Sequence, residues 1–305
     1  MKIAHLADIL FRSLQRHKEY RGVFDQFFDV CKLQHVDRIV ICGDIYHNKT
    51  QNISPEVIDE ISSFFKKASS ICPTYSILGN HDLAMQNLSR QDAISPIISA
   101  INSPNLHLYK KSGVYQIEDG YNFCVFSCAD EEGWVNVKPT NGDVNIALFH
   151  GAIGGAETDE GWKLEGELEV KDFDSYNVVM LGDIHKHQFL TPDKRIAYPG
   201  SLIQQNHGED ARKGFLIWDI DPIGHFSVNF QQLKCPDPYI TIVWSGNVKK
   251  TIQETSKFPE RSHFRIRSDI PINQLDIKQL KTELKHASEV SFDIKTQVNQ
   301  NIISA

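Results

Sequence analysis

The chain has 305 residues, 41% of them hydrophobic, and a formal net charge of −7. That length accommodates one large α/β domain and a small second one, and no window approaches the ~18 consecutive apolar residues of a membrane span. The acidic balance argues against a protein that coats nucleic acid by bulk electrostatics, but not against an enzyme that meets DNA through bound cations and a basic partner.

Met1-Lys2-Ile3-Ala4-His5-Leu6-Ala7-Asp8 turns polar too soon for a signal peptide, so a cytoplasmic protein is expected, nucleoid-associated if it works on DNA. Cys31, Cys42, Cys72, Cys124, Cys128 and Cys235 are scattered with no CxxC pair, which suits buried free thiols in a reducing compartment. Short β-rich apolar runs alternate with helical patterns through about residue 220, the pattern of an α/β protein. Strands are predicted at 2–7, 38–42, 74–78, 122–128, 145–149, 177–181, 195–198 and 214–220.

Phe24, Phe27, Phe28, Cys31 and Leu33 predict one amphipathic helix. Val57, Ile58, Ile61, Phe64, Phe65 and Ala68, behind a Ser54-Pro55-Glu56 start, predict a second. Both stripes are read as core faces. Two polar loops, 129–143 and 151–170, flank His150, and the second, with five Gly and many acids, suits a mobile rim over a site. Past Cys235-Pro236-Asp237-Pro238 the composition shifts, with ten Lys/Arg against eight Asp/Glu in 235–305. Strand-like 239–244, 264–267 and 290–294 and a helical stretch near 277–286 predict a small α+β module there. The expected division is therefore 1–234 and 235–305.

Several predicted strands end in a polar cluster, which is where α/β proteins place their sites. In order these are Asp8, Gly43-Asp44-Ile45-Tyr46-His47, Gly79-Asn80-His81-Asp82, Phe149-His150-Gly151 and Gly182-Asp183-Ile184-His185-Lys186-His187. Singly, an Asp after a strand is a helix cap and a lone His is a structural side chain. Together they offer five groups of hard or borderline ligands. Asp, Asn and His suit Mn²⁺, Fe²⁺ or Zn²⁺, and the absence of Cys argues against a structural zinc.

This ordered set, over about residues 1–220, resembles the calcineurin-like metallophosphoesterases. The resemblance implies a four-layer αββα sandwich, two sheets face to face with helices outside. It implies two Mn²⁺ ions, with Mg²⁺ as a substitute. By motif position Asp44 would bridge them, Asn80, His150 and His185 would complete one shell, and Asp8 and His187 would serve the other. A shared carboxylate holds two such cations roughly 3.5–4 Å apart. His81 would be the acid near the scissile phosphate, with Asp82 orienting it.

Within that superfamily the chain is most similar to the SbcD-type (meiotic-recombination) nuclease subunits, including phage versions. The opening Lys2–Asp8, the His47 three residues after Asp44, Tyr198-Pro199-Gly200-Ser201 and Lys213-Gly214-Phe215 carry this likeness. It implies a DNA exo/endonuclease working with an SMC-like coiled-coil ATPase of the SbcC type, and a homodimer. His47 would face DNA or phosphate, Tyr198 and Ser201 would lie on the substrate side, and 235–305 would be a DNA-capping domain. Arg265 and Arg267 alternate along a probable strand and would present one face to DNA, a solvated strand face being the bland alternative. Two further alternatives are a phosphatase or phosphodiesterase of the same fold and a catalytically weak DNA-binding scaffold.

The chain departs from the family in two ways. The family's first motif is Asp-x-His, and here Asp8-Ile9-Leu10 puts a side chain that cannot bind metal at the third place. Loss of that imidazole should weaken one metal at least as much as the ~10–100-fold that follows loss of an outer partner. Leu fills much the same volume as His, so the fold should survive. Three explanations stay open: an inactivating substitution, which is preferred, a natural loss in a binding subunit, and an enzyme that tolerates a weak second metal. The other departure is a short, missing or cut C-terminal tail where relatives grip their ATPase.

Overall fold

The computed structural model describes residues 1–47 and 53–295; the expected tail region at 302–305 lies outside them. In chain order the first elements are β1 (Lys2–Leu6), α1 (His17–Leu33), β2 (Arg38–Cys42), α2 (Pro55–Ile71), β3 (Thr74–Ile77), α3 (Ser95–Ile101) and β4 (Leu106–Tyr109). Then come β5 (Gly113–Glu118), β6 (Tyr121–Phe126), β7 (Val144–His150), β8 (Val178–Gly182), β9 (Gln188–Phe189), β10 (Ile196–Tyr198), β11 (Gly214–Ile220) and β12 (Phe226–Gln232). The last are β13 (Tyr239–Val243), α4 (Val248–Thr255), β14 (His263–Ser268), α5 (Gln274–Glu283) and β15 (Glu289–Ile294). The chain forms two compact units, Met1–Ile203 with Gly208–Lys234, and Gln204–His207 with the chain from Cys235 onward.

The first unit holds two six-stranded sheets, ordered β12-β11-β1-β2-β3-β4 and β5-β6-β7-β8-β10-β9. One apolar core joins them face to face, with Ile3, Val40, Ile77 and Trp218 from the first sheet meeting Phe123, Ile146, Leu148 and Met180 from the second. In both sheets the central strands run parallel and are buried on both sides, which explains their continuous apolar runs. The eight predicted strands of this unit all occur, with ends shifted by no more than two residues. The four that periodicity missed, β4, β5, β9 and β12, are the four sheet edges. Edge strands bury one face at most, and β5 alternates half-buried with exposed residues along its length.

α1 and α2 cover the outer face of the first sheet. Phe27 of α1 packs edge-on against Phe215 of β11, with ring centroids 4.7 Å apart, and Phe24 and Phe64 join the two helices at 4.7 Å. The predicted stripes are buried, except that Leu33 and Ile58 fall off them into solvent. Ser54 caps α2 by accepting from the Val57 amide, ahead of Pro at the first turn. Over the second sheet, Phe126, Phe149, Phe173 and Tyr176 pack under loops and two 3-10 turns, Glu131–Asn136 and Val170–Phe173. The helices of this outer layer are short 3-10 turns, set among loops.

The second unit is β-α-β-α-β, a three-stranded parallel sheet ordered β13-β14-β15. Ile242, Phe264, Ile266 and Leu280 form its core with the two helices. α4 was not evident in the sequence. All six cysteines are free, five of them buried. Among the described residues no helix is long and apolar enough to cross a membrane.

Candidate metal centre

The parallel strands β1, β2 and β3 of one sheet and β7 and β8 of the other deliver their carboxyl ends to a common edge. Three acids follow those ends in the left-handed region, Asp8 at φ 51°, Asp44 at 52° and Asp183 at 95°. Asp tolerates that conformation better than most residues, and it turns each carboxylate inward. The motif glycines permit the approach. A Cβ at Gly79 would collide with the Asp44 carboxylate, and one at Gly182 would collide with the Cys42 carbonyl.

Asp8, Asp44 and His150 each offer a ligand atom within 4.8 Å of the others, and all three are buried. His150 Nδ1 donates to the Cys42 carbonyl at 2.7 Å, so Nε2 faces the acids, 3.2 Å from Asp44 Oδ1 and 3.8 Å from Asp183 Oδ1. That Nε2 is buried and makes no hydrogen bond; the Oδ1 of Asn80 is likewise buried and orphaned. Asn80 Nδ2 donates to Asp183 at 3.3 Å, which leaves the bare oxygen as its ligand atom. A buried ring nitrogen and a buried amide oxygen without hydrogen bonds, beside several carboxylates, are a set of atoms a divalent cation fits.

The remaining expected ligands reach the same edge outside that triad. His185 Nδ1 donates to Glu209 at 2.8 Å, and His187 Nδ1 donates to the Tyr198 carbonyl at 2.9 Å. In all three histidines Nδ1 is thus engaged and Nε2 is the atom left for a ligand role. Asp183, not singled out in the sequence as a ligand, contacts His150 and Asn80, and its amide donates to both Asp8 oxygens at 3.1 and 3.2 Å. Its place in Gly182-Asp183-Ile184-His185 was the available signal.

The electrostatics follow from burial and crowding. Burial pushes Asp8 up to about 7, with Asp44 and Asp183 adding to the rise. Burial opposes charge on His150, but the Asp44, Asp8 and Asp183 carboxylates outweigh it and hold the ring well above the ordinary imidazole range. Asp44 sits below the usual carboxylate range because His150 and His81 overcome the effect of burial.

His81 rests its Nδ1 on the His47 carbonyl at 2.5 Å and places Nε2 3.8 Å from Asp44 Oδ2, while its amide donates to Asp44 Oδ1 at 2.9 Å. The expected pairing of Asp82 with the His81 ring takes another form. Asp82 is fully buried and accepts from the amides of Gly79, Tyr46 and Ile45, so it fastens the two motif loops together. The His47 ring stacks beside His81 at 5.8 Å, and burial, with Arg12 and His81 adding to it, lowers its pKa to about 4.

Tyr198 and Ser201, expected on the substrate side, turn their side chains inward. Tyr198 and Ser201 are fully buried. The Tyr198 hydroxyl donates to the Gly151 carbonyl at 2.8 Å and accepts from the Ile153 amide at 2.9 Å. Ser201 Oγ donates to the Ile203 carbonyl at 3.0 Å, and its amide donates to the His185 carbonyl at 3.2 Å. The Pro-Gly turn is therefore a rail that sets the His185–His187 loop, and its side chains point inward. In the second unit Arg265 and Arg267 share one face of β14, and Arg267 pairs with Asp293 at 3.2 Å.

Residues 1–187 match the family model for calcineurin-like phosphoesterases. "Uncharacterized protein R555" of Acanthamoeba polyphaga mimivirus is 43% identical over 236 residues, 72% of this chain and 17% of that protein. "Putative phosphoesterase 244L" of Invertebrate iridescent virus 6 is 29% identical over 209 residues, 64% of this chain and 69% of that protein. The SbcD component of the SbcCD nuclease of Staphylococcus epidermidis is 26% identical over 99% of this chain and 91% of that protein. The match to a family model over more than half the sequence, on a sheet pair that assembles the motif residues at one edge, makes this chain a member of the calcineurin-like phosphoesterase family.

Proposed function

We propose that this chain is a Mn²⁺-dependent DNA nuclease subunit, hydrolysing phosphodiester bonds at DNA ends with an SMC-like coiled-coil ATPase as partner. The observation that carries the metal reading is His150, whose Nδ1 is committed to Cys42 and whose orphaned Nε2 faces three carboxylates. The likeness to the SbcD component of the SbcCD nuclease, which spans 99% of this chain, supports the substrate and partner reading.

Asn80, His150 and His185 would hold one cation, Asp8 and His187 the other, with Asp44 shared. Bound divalent cations would polarise the phosphate and make a water acidic enough to attack at neutral pH. His81, its ring resting on the His47 carbonyl, would give a proton to the leaving oxygen or hydrogen-bond it. His47, whose pKa burial lowers to about 4, would face the phosphate as a neutral hydrogen-bonding group. Asp82 keeps these two motif loops in register. The second unit would guide DNA through Arg265 and Arg267.

Leu10 favours a second reading, a metal-poor form that binds DNA and cleaves it weakly. Digestion of linear and plasmid DNA with Mn²⁺, run beside a small aryl phosphate ester and beside Leu10→His, separates the readings. DNA cleavage that rises in the variant supports the nuclease. Hydrolysis of the small ester with DNA left intact would point to a phosphatase, and no cleavage by either form to a scaffold.

A further inference from the structure

The loop that precedes β11 places a buried ionic cluster against the expected ligand His185. Glu209 and Lys213 have side chains only 5% and 2% exposed. Glu209 Oε1 accepts from His185 Nδ1 at 2.8 Å, and Oε2 lies 2.9 Å from Lys213 Nζ and 3.4 Å from Ser201 Oγ. Lys213 Nζ also donates to the His185 carbonyl at 2.9 Å and lies 3.7 Å from Asp159 Oδ2. Asp159 Oδ1 in turn accepts from the Asp210 amide at 3.1 Å, which ties the acidic rim loop to this cluster. His185 is thus held at its ring by Glu209 and at its backbone by Lys213 and the Ser201 amide.

His150 and His187 rest Nδ1 on backbone carbonyls, whereas His185 rests on a carboxylate. A carboxylate fixes the same tautomer and also makes Nε2 a stronger donor to a cation. The bland reading is a buried ion pair that merely locks the loop. Such pairs are poor sources of stability, because desolvation offsets their attraction, so a charged pair set against this ring points to a role at the ring.

We propose that Glu209, held by Lys213, is a positioning residue that fixes His185 as the Nδ1–H tautomer and sets the affinity of the cation bound by Asn80, His150 and His185. This rests on the metal reading given under Proposed function. Calorimetric titration of Mn²⁺ into the whole chain and into Glu209→Gln tests it, since Gln keeps the shape and removes the charge. The expected result is a ~10–100-fold weaker affinity at one site, with the unfolding midpoint in chelator shifted far less than the midpoint with Mn²⁺. Affinity equal to the parent's in Glu209→Gln would overturn the proposal and leave a structural pair. Failure of the parent itself to bind Mn²⁺ would sink the metal reading first. Nitrogen NMR of the metal-free parent keeps the idea testable if the variant does not fold. A His185 ring protonated at Nδ1 at high pH supports it, and the Nε2–H tautomer overturns it.

Discussion

The backbone amide of Leu10 donates to the carbonyl oxygen of Asp44 at 3.0 Å, tying residue 10 to the residue proposed as the shared ligand. The Tyr20 hydroxyl donates to the Leu10 carbonyl at 2.6 Å, and Leu10 is 1% exposed at φ 56°. A branched side chain in that region costs ~1–2 kcal/mol, so the backbone is held there by its surroundings. The turn places residue 10 beside Asp44 even though its side chain is apolar.

Leu10→His should therefore gain a ligand without rebuilding the loop, and His accepts a left-handed backbone better than Leu does. With Mn²⁺, the weaker site should tighten at least ~10-fold and DNA cleavage should rise. In chelator the variant should be less stable by about 1–3 kcal/mol, because a buried ring nitrogen is left unpaired. Titration calorimetry and thermal melts with and without Mn²⁺ read both effects. Two fully occupied metals in the parent at low Mn²⁺, seen by anomalous scattering, would refute the weak-site assignment.

With Asp44 as the shared anion proposed above, Asp44→Ala should abolish binding of both cations. Near-normal Mn²⁺ stoichiometry in that variant would show that the bridge is wrongly placed.

Metal binding should release protons and strengthen with pH. In the metal-free protein Asp8 is raised to about 7 and His150 stands well above the ordinary imidazole value, so near neutrality Asp8 is partly protonated and His150 protonated, and a cation must displace those protons. The same shifts set the stability profile. A raised folded-state pKa contributes stability below the unfolded value, which is lost as pH rises through the folded one. Asp8 and Asp82, both raised to about 7, should make the metal-free midpoint fall between about pH 4 and 7, with His150 extending the loss above that. Mn²⁺ should flatten the profile. Calorimetry in buffers of different ionisation enthalpy measures the proton count, and no release at pH 7 would contradict this account.

Tyr198→Phe should cost about 1–3 kcal/mol of stability, because it strands the buried Ile153 amide and removes the donor to the half-buried Gly151 carbonyl. DNA affinity lost at an unchanged melting midpoint would instead restore Tyr198 as a substrate contact.

Arg265→Ala with Arg267→Ala should weaken duplex binding and shallow its salt dependence by about one unit per phosphate contact removed. An added ATPase should tighten binding in a salt-sensitive way. Tight binding by the chain alone, unaffected by the double substitution, would show that the partner and second-unit roles are wrongly assigned.

Much of the frame was legible because buried parallel strands must be apolar on both faces and must end where the chain turns polar. Continuous runs such as Arg38–Cys42 and Gly214–Ile220 announced themselves, and the clusters behind them named Asp8, Asp44, Asn80, His150, His185 and His187 as candidates. The sheet edges β4, β5, β9 and β12 were not legible, because a half-buried strand carries no such run. Nor can a linear sequence tell whether a polar residue faces outward. Tyr198 and Ser201 sit in a turn that should be exposed, yet the fold packs it against the His185–His187 loop and spends their side chains on internal hydrogen bonds.

Sequence alone determined which residue types could serve a metal and on which strands they ride, since ligand chemistry and strand periodicity are local. Tertiary structure alone decided their partners. It placed Asp183 beside His150, set Glu209 on His185 from 24 positions away, and turned Asp82 onto three backbone amides. Those contacts depend on two sheets closing over one core, and no local pattern encodes which loops that closure brings together.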